Sequence, residues 1–238
     1  MLSNIYHLFI FNPLYNGLIF LFDIFPWIDA GVAVIVFTIL VRLILFPLSK
    51  KSIITQLRMR EITPDLEKIK RTFKDKQVQA TKTMELYKQK GVNPFASIFL
   101  ILLQLPIIYA LYHIFVLSGL PVVNTSILYG FINAPVINMN LLGFFDISTR
   151  SIPLSLLAAF AQYLQLHFSL SANYQNDIPG SNPAQDVMKY MKYVFPVMIF
   201  FISYRVSAVV AIYWAVTSLF TLGQELFVSR QIKNHKPI

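Results

Sequence analysis

The sequence predicts an all-α polytopic membrane protein, and three observations carry that prediction. Hydrophobic residues make up 56% of the 238 and charged residues only 13%, where soluble domains carry about a quarter charged. The apolar residues come in long runs instead of on dispersed faces, the pattern of helices surrounded by lipid. The charge is concentrated, with twelve of the twenty Lys and Arg lying between residues 49 and 94. Cysteine is absent, so disulfides, thiolate nucleophiles and thiolate metal sites are excluded. A net charge of +9 in such a chain reads first as topological bias and contact with anionic lipid, before nucleic acid.

Residues 1–28 contain no Lys or Arg, so they lack the basic start of a signal peptide. Asn12-Pro13 is expected to break the apolar start. Leu14, Leu18, Leu21, Phe22 and Phe25 then recur at helical spacing until Pro26. The run carries Asp23 and is too short to span comfortably, so it is expected to lie as an amphipathic helix on the outer face. An extra short span, which would move the N-terminus inside, is the alternative.

Five spans follow, over 29–49, 94–117, 152–170, 190–204 and 206–228. They are separated by segments 50–93, 118–151 and 171–189, and followed by a short tail, 229–238. A crossing helix needs about 20 residues. The fourth span falls short and is expected to rely on snorkelling by Lys189 and Lys192, local thinning or cover from its neighbours. Alternating the spans puts seventeen basic residues on one side and two on the other, with Arg42 inside the first span. The positive-inside rule then makes the seventeen-residue side cytoplasmic, with the N-terminus outside and the C-terminus inside. The expected location is the cell membrane.

Segment 50–93 reads as a cytoplasmic helical hairpin. Ile54, Leu57, Ile62, Leu66, Ile69 and Phe73 form a helical stripe with a slip at Pro64. Thr63-Pro64-Asp65 reads as an N-cap, a first-turn Pro and an acidic first turn. Lys74-Asp75-Lys76 is the expected tip. A second helix, with Ala80, Met84 and Tyr87 on its apolar face, is expected to end at Gly91 before Asn93-Pro94. The hairpin carries twelve basic and five acidic residues, net +7. Its charges either solvate a connector and enforce topology or form a landing surface for an anionic partner. Phe73 and Tyr87 are its few aromatics, too few to stack bases.

Polar residues inside spans are costly and call for partners or water. They are Thr38 and Arg42 in the first span, Gln104 and His113 in the second, and Gln162, Gln165 and His167 in the third. Thr217, Thr221, Gln224 and Glu225 follow in the fifth. Thr38 with Arg42, Gln162 with Gln165, and Thr217 with Thr221 and Gln224 each share a helix face, so converging stripes would make a polar cavity. Arg42 lies eight residues before Lys50, about 12 Å above it along a straight helix. Isolated there it costs about 3 kcal/mol. Snorkelling to the headgroups is one reading of it, and a functional, water-facing position is the other. Glu225 is the nearest candidate counter-ion, although Arg230 stands five residues from it.

His113 and His167 lack a second ligand at metal spacing, so packing or a cross-helix hydrogen bond is expected of them. No HExxH, GxSxG or P-loop pattern occurs, which leaves a hydrolase or an ATP-driven pump without chemistry. One arginine does not make a voltage sensor. Neither a cofactor nor a metal is expected, and the chain is not expected to be an enzyme.

A run of motifs in order then resembles the YidC family of membrane-protein insertases. They are NPLYNGLIFLF, VFTILVRLILFPLSKK, LYKQKGVNPF, LLQLPIIYALYHIF, LLAAFAQYLQLHFS, MKYMKYVFPVMIFF and AIYWAVTSLFTLGQELF. Each motif is weakly specific by itself. Their order around the basic hairpin, over about residues 12 to 230, is highly specific. The resemblance implies five helices enclosing a hydrophilic groove, open to the cytoplasm and to lipid and closed on the outer side. It places the family's essential arginine on Arg42 and its glutamines on Gln104, Gln162 and Gln165. With the polar stripes, the candidate client-binding groove is Arg42, Thr38, Gln104, Gln162, Gln165, Trp214, Thr217 and Thr221.

The implied activity is that of an insertase and assembly chaperone. It receives hydrophilic segments of nascent membrane proteins and releases their apolar spans into lipid without nucleotide hydrolysis. A wet groove shortens the dry path those segments cross, and a buried cation attracts acidic ones. The implied partners are nascent clients, the ribosome, a Sec-type translocon and anionic lipids, with no small-molecule substrate and no DNA. Ribosome or lipid contact is expected at Lys68, Lys70, Arg71, Lys74 and Lys76. The rivals are an anion-attracting channel or transporter subunit and a scaffold acting through the hairpin. The sequence departs from the family pattern at SYRVSAVV, where Ala208 stands near an expected glycine, at Ser218, where an Asn is usual, and in its short tail.

Overall fold

The structure is a computed structural model that describes residues 6–93, 96–169 and 183–235. A π-helical turn, His7–Phe11, runs directly into α1 (Asn12–Ile24). The break expected at Asn12-Pro13 does not occur. In the π register the Asn12 N–H bonds to the His7 carbonyl, and Pro13 sits in the first turn of α1, where its missing N–H costs nothing. His7–Ile24 is therefore one continuous apolar stretch of 18 residues, long enough by length and composition to cross a membrane.

The first expected span is divided. α2 (Ala30–Ile44) ends at Leu45, and α3 (Phe46–Glu61) leaves at 65° to it. Pro47 explains the break. It has no N–H for the Leu43 carbonyl, and its ring crowds the preceding turn. The N–H of Ser49 bonds instead to the Leu45 carbonyl, restarting the ladder. Arg42 is thus only three residues from the bend. Measured along α2, its height over Lys50 falls from about 12 Å to about 8 Å.

α4 (Thr63–Thr72) and α5 (Lys76–Lys90) form the hairpin. Thr63 is not the N-cap. Ile62 stays near-helical at φ −93° and ψ −2°, so the Thr63 hydroxyl donates back to the Met59 carbonyl at 2.9 Å. The chain kinks there instead of stopping. Asp75 caps α5 by accepting from the Gln77 N–H at 2.8 Å, and Gly91 ends it in the left-handed region at φ 61°. Neither helix buries a residue, so Met84 is exposed.

α6 (Ala96–Tyr112) continues through a π-helical turn, His113–Leu117. After the loop come α7 (Ile152–Phe168), α8 (Pro183–Val206) and α9 (Ala208–His235). α8 has 24 residues, about 36 Å, so the short fourth span expected over 190–204 is lengthened at its N-terminal end. Residue 170 of the expected third span and residues 171–182 of the expected 171–189 loop lie outside the described residues. α9 runs on without a break through 229–235, which the sequence reading treated as tail.

α9 is the hub. It packs against α7 and α2 and touches α3, α6 and α8. Its first residues, Ala208 to Ile212, are buried all round the helix, and Ala208, Val209, Ala211 and Ile212 share one core cluster with Ala33, Val34, Ala158 and Ala161. Small residues let membrane helices approach closely. The α8–α9 link is a single residue, Ser207, buried at 1% exposure. The N–H groups of Ala208 and Val209 bond to the carbonyls of Thr149 and Ile147, at 2.9 and 3.2 Å. Segment 118–151 therefore caps α9, and this tight turn is made with Ala208 near the position where a glycine is expected.

α1 is fastened to the same loop. Asn16, 1% exposed, donates to the Ile127 carbonyl and accepts from the Tyr129 N–H, at 2.9 and 2.7 Å. Tyr15 Oη accepts from the Asn124 N–H, and Asp23 from the Asn133 N–H. A short antiparallel β-hairpin, β1 (Asn140–Leu141) with β2 (Phe145–Asp146), stands against the start of α2. Gly31 permits that contact, since a Cβ there would sit 2.5 Å from the Leu141 Cβ.

Candidate functional site

Among the described residues, two hydrogen-bonded groups of polar side chains stand on neighbouring faces of α9, and further along it Lys50 Nζ on α3 donates to Gln231 Oε1 at 3.0 Å. In the first, Arg42 Nη2 donates to Gln104 Oε1 at 2.6 Å, joining α2 to α6. Gln104 Nε2 donates in turn to the Tyr213 hydroxyl on α9. Tyr213 also interacts with Arg42, and Thr217 stands one turn along the same face with its hydroxyl buried and without a hydrogen-bond partner among the described residues. The ion pairs Lys68–Asp65, Arg71–Glu67 and Lys82–Glu85 lie in the hairpin, and Arg42 pairs with no described carboxylate. A guanidinium held by a neutral amide keeps its full charge and has donors to spare.

In the second group, Gln162 Oε1 accepts from Trp214 Nε1 at 2.9 Å and from Ser218 Oγ at 3.1 Å. Gln162 Nε2 donates to Gln165 Oε1 at 3.0 Å. This group ties α7 to α9. Residues 213 and 214 are adjacent on α9 and so point about 100° apart. That offset gives the two groups different partner helices, α2 and α6 for the first and α7 for the second.

Two expected members are turned inward on their own helices. Thr38, 1% exposed, donates to the Val34 carbonyl at 2.6 Å, and Thr221 to the Thr217 carbonyl at 2.8 Å. Such i−4 bonds satisfy a hydroxyl locally, so neither reaches across. Tyr213 and Ser218 are the members the sequence reading missed. Tyr213 stands four residues before Thr217 on the stripe already named, which was its signal. Ser218 stands one turn from Trp214 on the same face of α9, and its hydroxyl donates to Gln162 Oε1.

The histidines pack as expected. His113 Nδ1 lies 3.5 Å from the Tyr6 hydroxyl, and its ring stands 4.3 Å from Phe11. His167 lies beside Tyr163. No group of three His, Cys, Asp or Glu that could hold a metal occurs among the described residues.

On the hairpin, Lys68 pairs with Asp65 at 3.3 Å and Arg71 with Glu67 at 3.6 Å. Exposed pairs of this kind contribute little. Lys70, Lys74 and Lys76 are exposed around the tip and lie outside the described ion pairs. Partial burial raises the Tyr87 pKa above the usual phenol value.

This arrangement of helices and polar pairs spans most of the chain, and so does a sequence match. The model of the family described as 60Kd inner membrane protein covers residues 20–236. The chain belongs to this family. A protein of Fusobacterium nucleatum subsp. nucleatum named Membrane protein insertase YidC is 34% identical over 202 residues, 84% of this chain and 86% of that protein. Its namesake in Clostridium tetani is 31% identical over 211 residues, 88% and 86% of the two chains. In Oceanobacillus iheyensis a protein of the same name is 30% identical over 212 residues, 87% and 77%. Family membership and the apolar helices make this an all-α polytopic membrane protein.

Proposed function

We propose that the chain is a membrane-protein insertase and assembly chaperone. The observation that carries this reading is Arg42, charged and within a membrane helix, bonded to neutral Gln104 and paired with no described carboxylate. Such a cation attracts acidic segments of a client entering from the cytoplasmic side. The half-buried polar side chains of Gln104, Gln165 and Trp214 offer the client's backbone substitutes for water. Transfer then needs no nucleotide, because the client's apolar span partitions into lipid by itself. Names of relatives point the same way.

In this reading the seventeen-residue basic side is cytoplasmic, the membrane is the cell membrane, and α1 lies across the outer face. The bonds from Asn16, Tyr15 and Asp23 all run to segment 124–133, which supports a cap over one that threads the bilayer. The hairpin tip, through Lys70, Lys74 and Lys76, offers positive charge to a ribosome or to anionic lipid. A Sec-type translocon is a further proposed partner.

The test is depletion of the protein followed by protease protection of a small client with a short acidic extracytoplasmic tail. Loss of protection is expected. Crosslinking from Gln104, Gln165 and Thr221 to a stalled nascent chain locates the path, and the first two are expected to react more strongly than Thr221. The same uncompensated Arg42 favours a second reading, an anion-attracting channel subunit. Anion flux in client-free vesicles would support that reading, and the insertase reading expects none.

A further inference from the structure

The outer loop carries an apolar surface that the insertase reading does not use. Between residues 118 and 149 Asp146 is the only charged residue. Yet several of the loop's large apolar side chains face outward. Leu142 is 67% exposed and Phe144 85%, and these two flank Gly143 at the tip of the β1–β2 hairpin. Leu142 holds φ 52°, a left-handed conformation that suits Gly or Asn and strains Leu. A turn that tolerates this strain to present a leucine to solvent has no explanation in the packing of the chain itself. Trp27, 76% exposed, extends the apolar surface from the α1–α2 link.

We propose that the β1–β2 tip is a membrane anchor, with Leu142 and Phe144 inserted into the interface of the leaflet on the loop's own side. Continuity with the lipid-covered surface argues for this occupant. The hairpin is held against the outer end of α2 by the Gly31–Leu141 approach and by the Ala30 N–H bonded to the Asn138 carbonyl at 2.8 Å. That fixes the tip beside the mouth of a membrane helix, within reach of the headgroups. Charge agrees. A loop with no Lys or Arg before Arg150 has nothing with which to seek anionic lipid or an acidic protein. Aromatic and aliphatic side chains enter the headgroup–acyl boundary by their apolar area. Trp27 is of the type that settles at that depth. The consequence is mechanical: the cap over α1, α2 and α9 is fastened to the leaflet at a point away from the polar clusters. The proposal stands independently of the insertase reading.

The chain has no cysteine, so single nitroxide labels test the idea directly. Leu142→Cys and Phe144→Cys are labelled in the full chain, reconstituted in vesicles of phosphatidylcholine with and without phosphatidylglycerol. Thr81→Cys, on exposed α5, gives the aqueous reference. The expected result is several-fold lower collision with a water-soluble nickel chelate at 142 and 144 than at 81, with raised oxygen collision. It corresponds to a depth of about 5 Å or more and is equal in both lipids. Adding Phe144→Asp is expected to return the 142 label to water. Nickel accessibility equal to the reference at both positions would overturn the proposal and mark the tip as a surface for a protein partner. Burial that appears only with phosphatidylglycerol would overturn it too, because apolar insertion needs no anionic lipid. Neither label sits in a polar cluster, so client insertion measured on the same samples reports separately on the function.

Discussion

Arg42 Nη2 and Gln104 Oε1 meet at 2.6 Å across two helices that are 62 residues apart in the chain. A hydrogen bond to a charged group contributes about 1.5–3 kcal/mol, and this one also sets where the guanidinium points. Without Gln104 the charge remains but its direction is free.

The first prediction concerns that pair. Arg42→Ala is expected to abolish client insertion in the protease-protection assay. Arg42→Lys is expected to keep an intermediate level, because the charge survives while the planar fork that reaches Gln104 is lost. Gln104→Leu is expected to resemble Arg42→Lys. Equal loss in Arg42→Lys and Arg42→Ala would assign the effect to guanidinium bonding over charge.

Gln162 is the joint of the second cluster. Gln162→Leu leaves the Trp214 N–H and Ser218 hydroxyl without their acceptor, at about 1–3 kcal/mol for each buried group. Trp214→Phe removes one bond with little loss of volume, and about 0.5–1.5 kcal/mol is expected. Thermal unfolding in detergent is expected to show the larger fall in Tm for Gln162→Leu.

Gly31→Ala tests the seat of the outer hairpin. Its Cβ would sit 2.5 Å from Leu141, and overpacking of this kind costs about 1–3 kcal/mol. Leu141→Gly in the same chain, which removes the Cβ and Cδ1 that the new methyl would meet, is expected to restore part of the loss. Additive losses in the double mutant would show that the two residues do not clash.

Asn16→Ala is expected to free segment 124–129, since the side chain holds the Ile127 carbonyl and the Tyr129 N–H. The measurement is limited proteolysis of the detergent-solubilised protein, with faster cleavage of that segment expected.

Tyr87 gives a pH dependence. Burial raises its pKa in the folded hairpin over the unfolded value of about 10. The unfolded chain therefore releases its proton first. The neutral phenol's contribution is fully present below about pH 10 and is lost as pH rises through the folded value. Hairpin helicity is expected to fall more steeply in that window in the wild type than in Tyr87→Phe.

Much of the architecture was legible in the linear order of residues. Twenty-residue apolar runs, the basic block and the Gly91 stop each depend on local chemistry, so helix type and hairpin position could be read directly. The positions of Arg42, Gln104, Gln162 and Gln165 could be read for a related reason, since polar residues stand out against hydrocarbon. Boundaries were less legible. Pro47 lies in a span whose apolar character continues past it, and only the 65° bend shows that backbone donors outweigh hydropathy there.

The sequence by itself determined that this chain is a helical membrane protein with a basic hairpin and a rare intramembrane arginine, because burial in lipid and charge placement are one-dimensional demands. Tertiary structure decided which polar groups meet. Stripes on separate helices say nothing about rotation, and adjacent Tyr213 and Trp214 face different partners on one helix. Rotation of α9 against α2, α6 and α7 is set by close packing of small residues such as Ala211 and Ala215, a sum of contacts that no single segment encodes. That rotation gives Arg42 a glutamine for company and leaves its charge available.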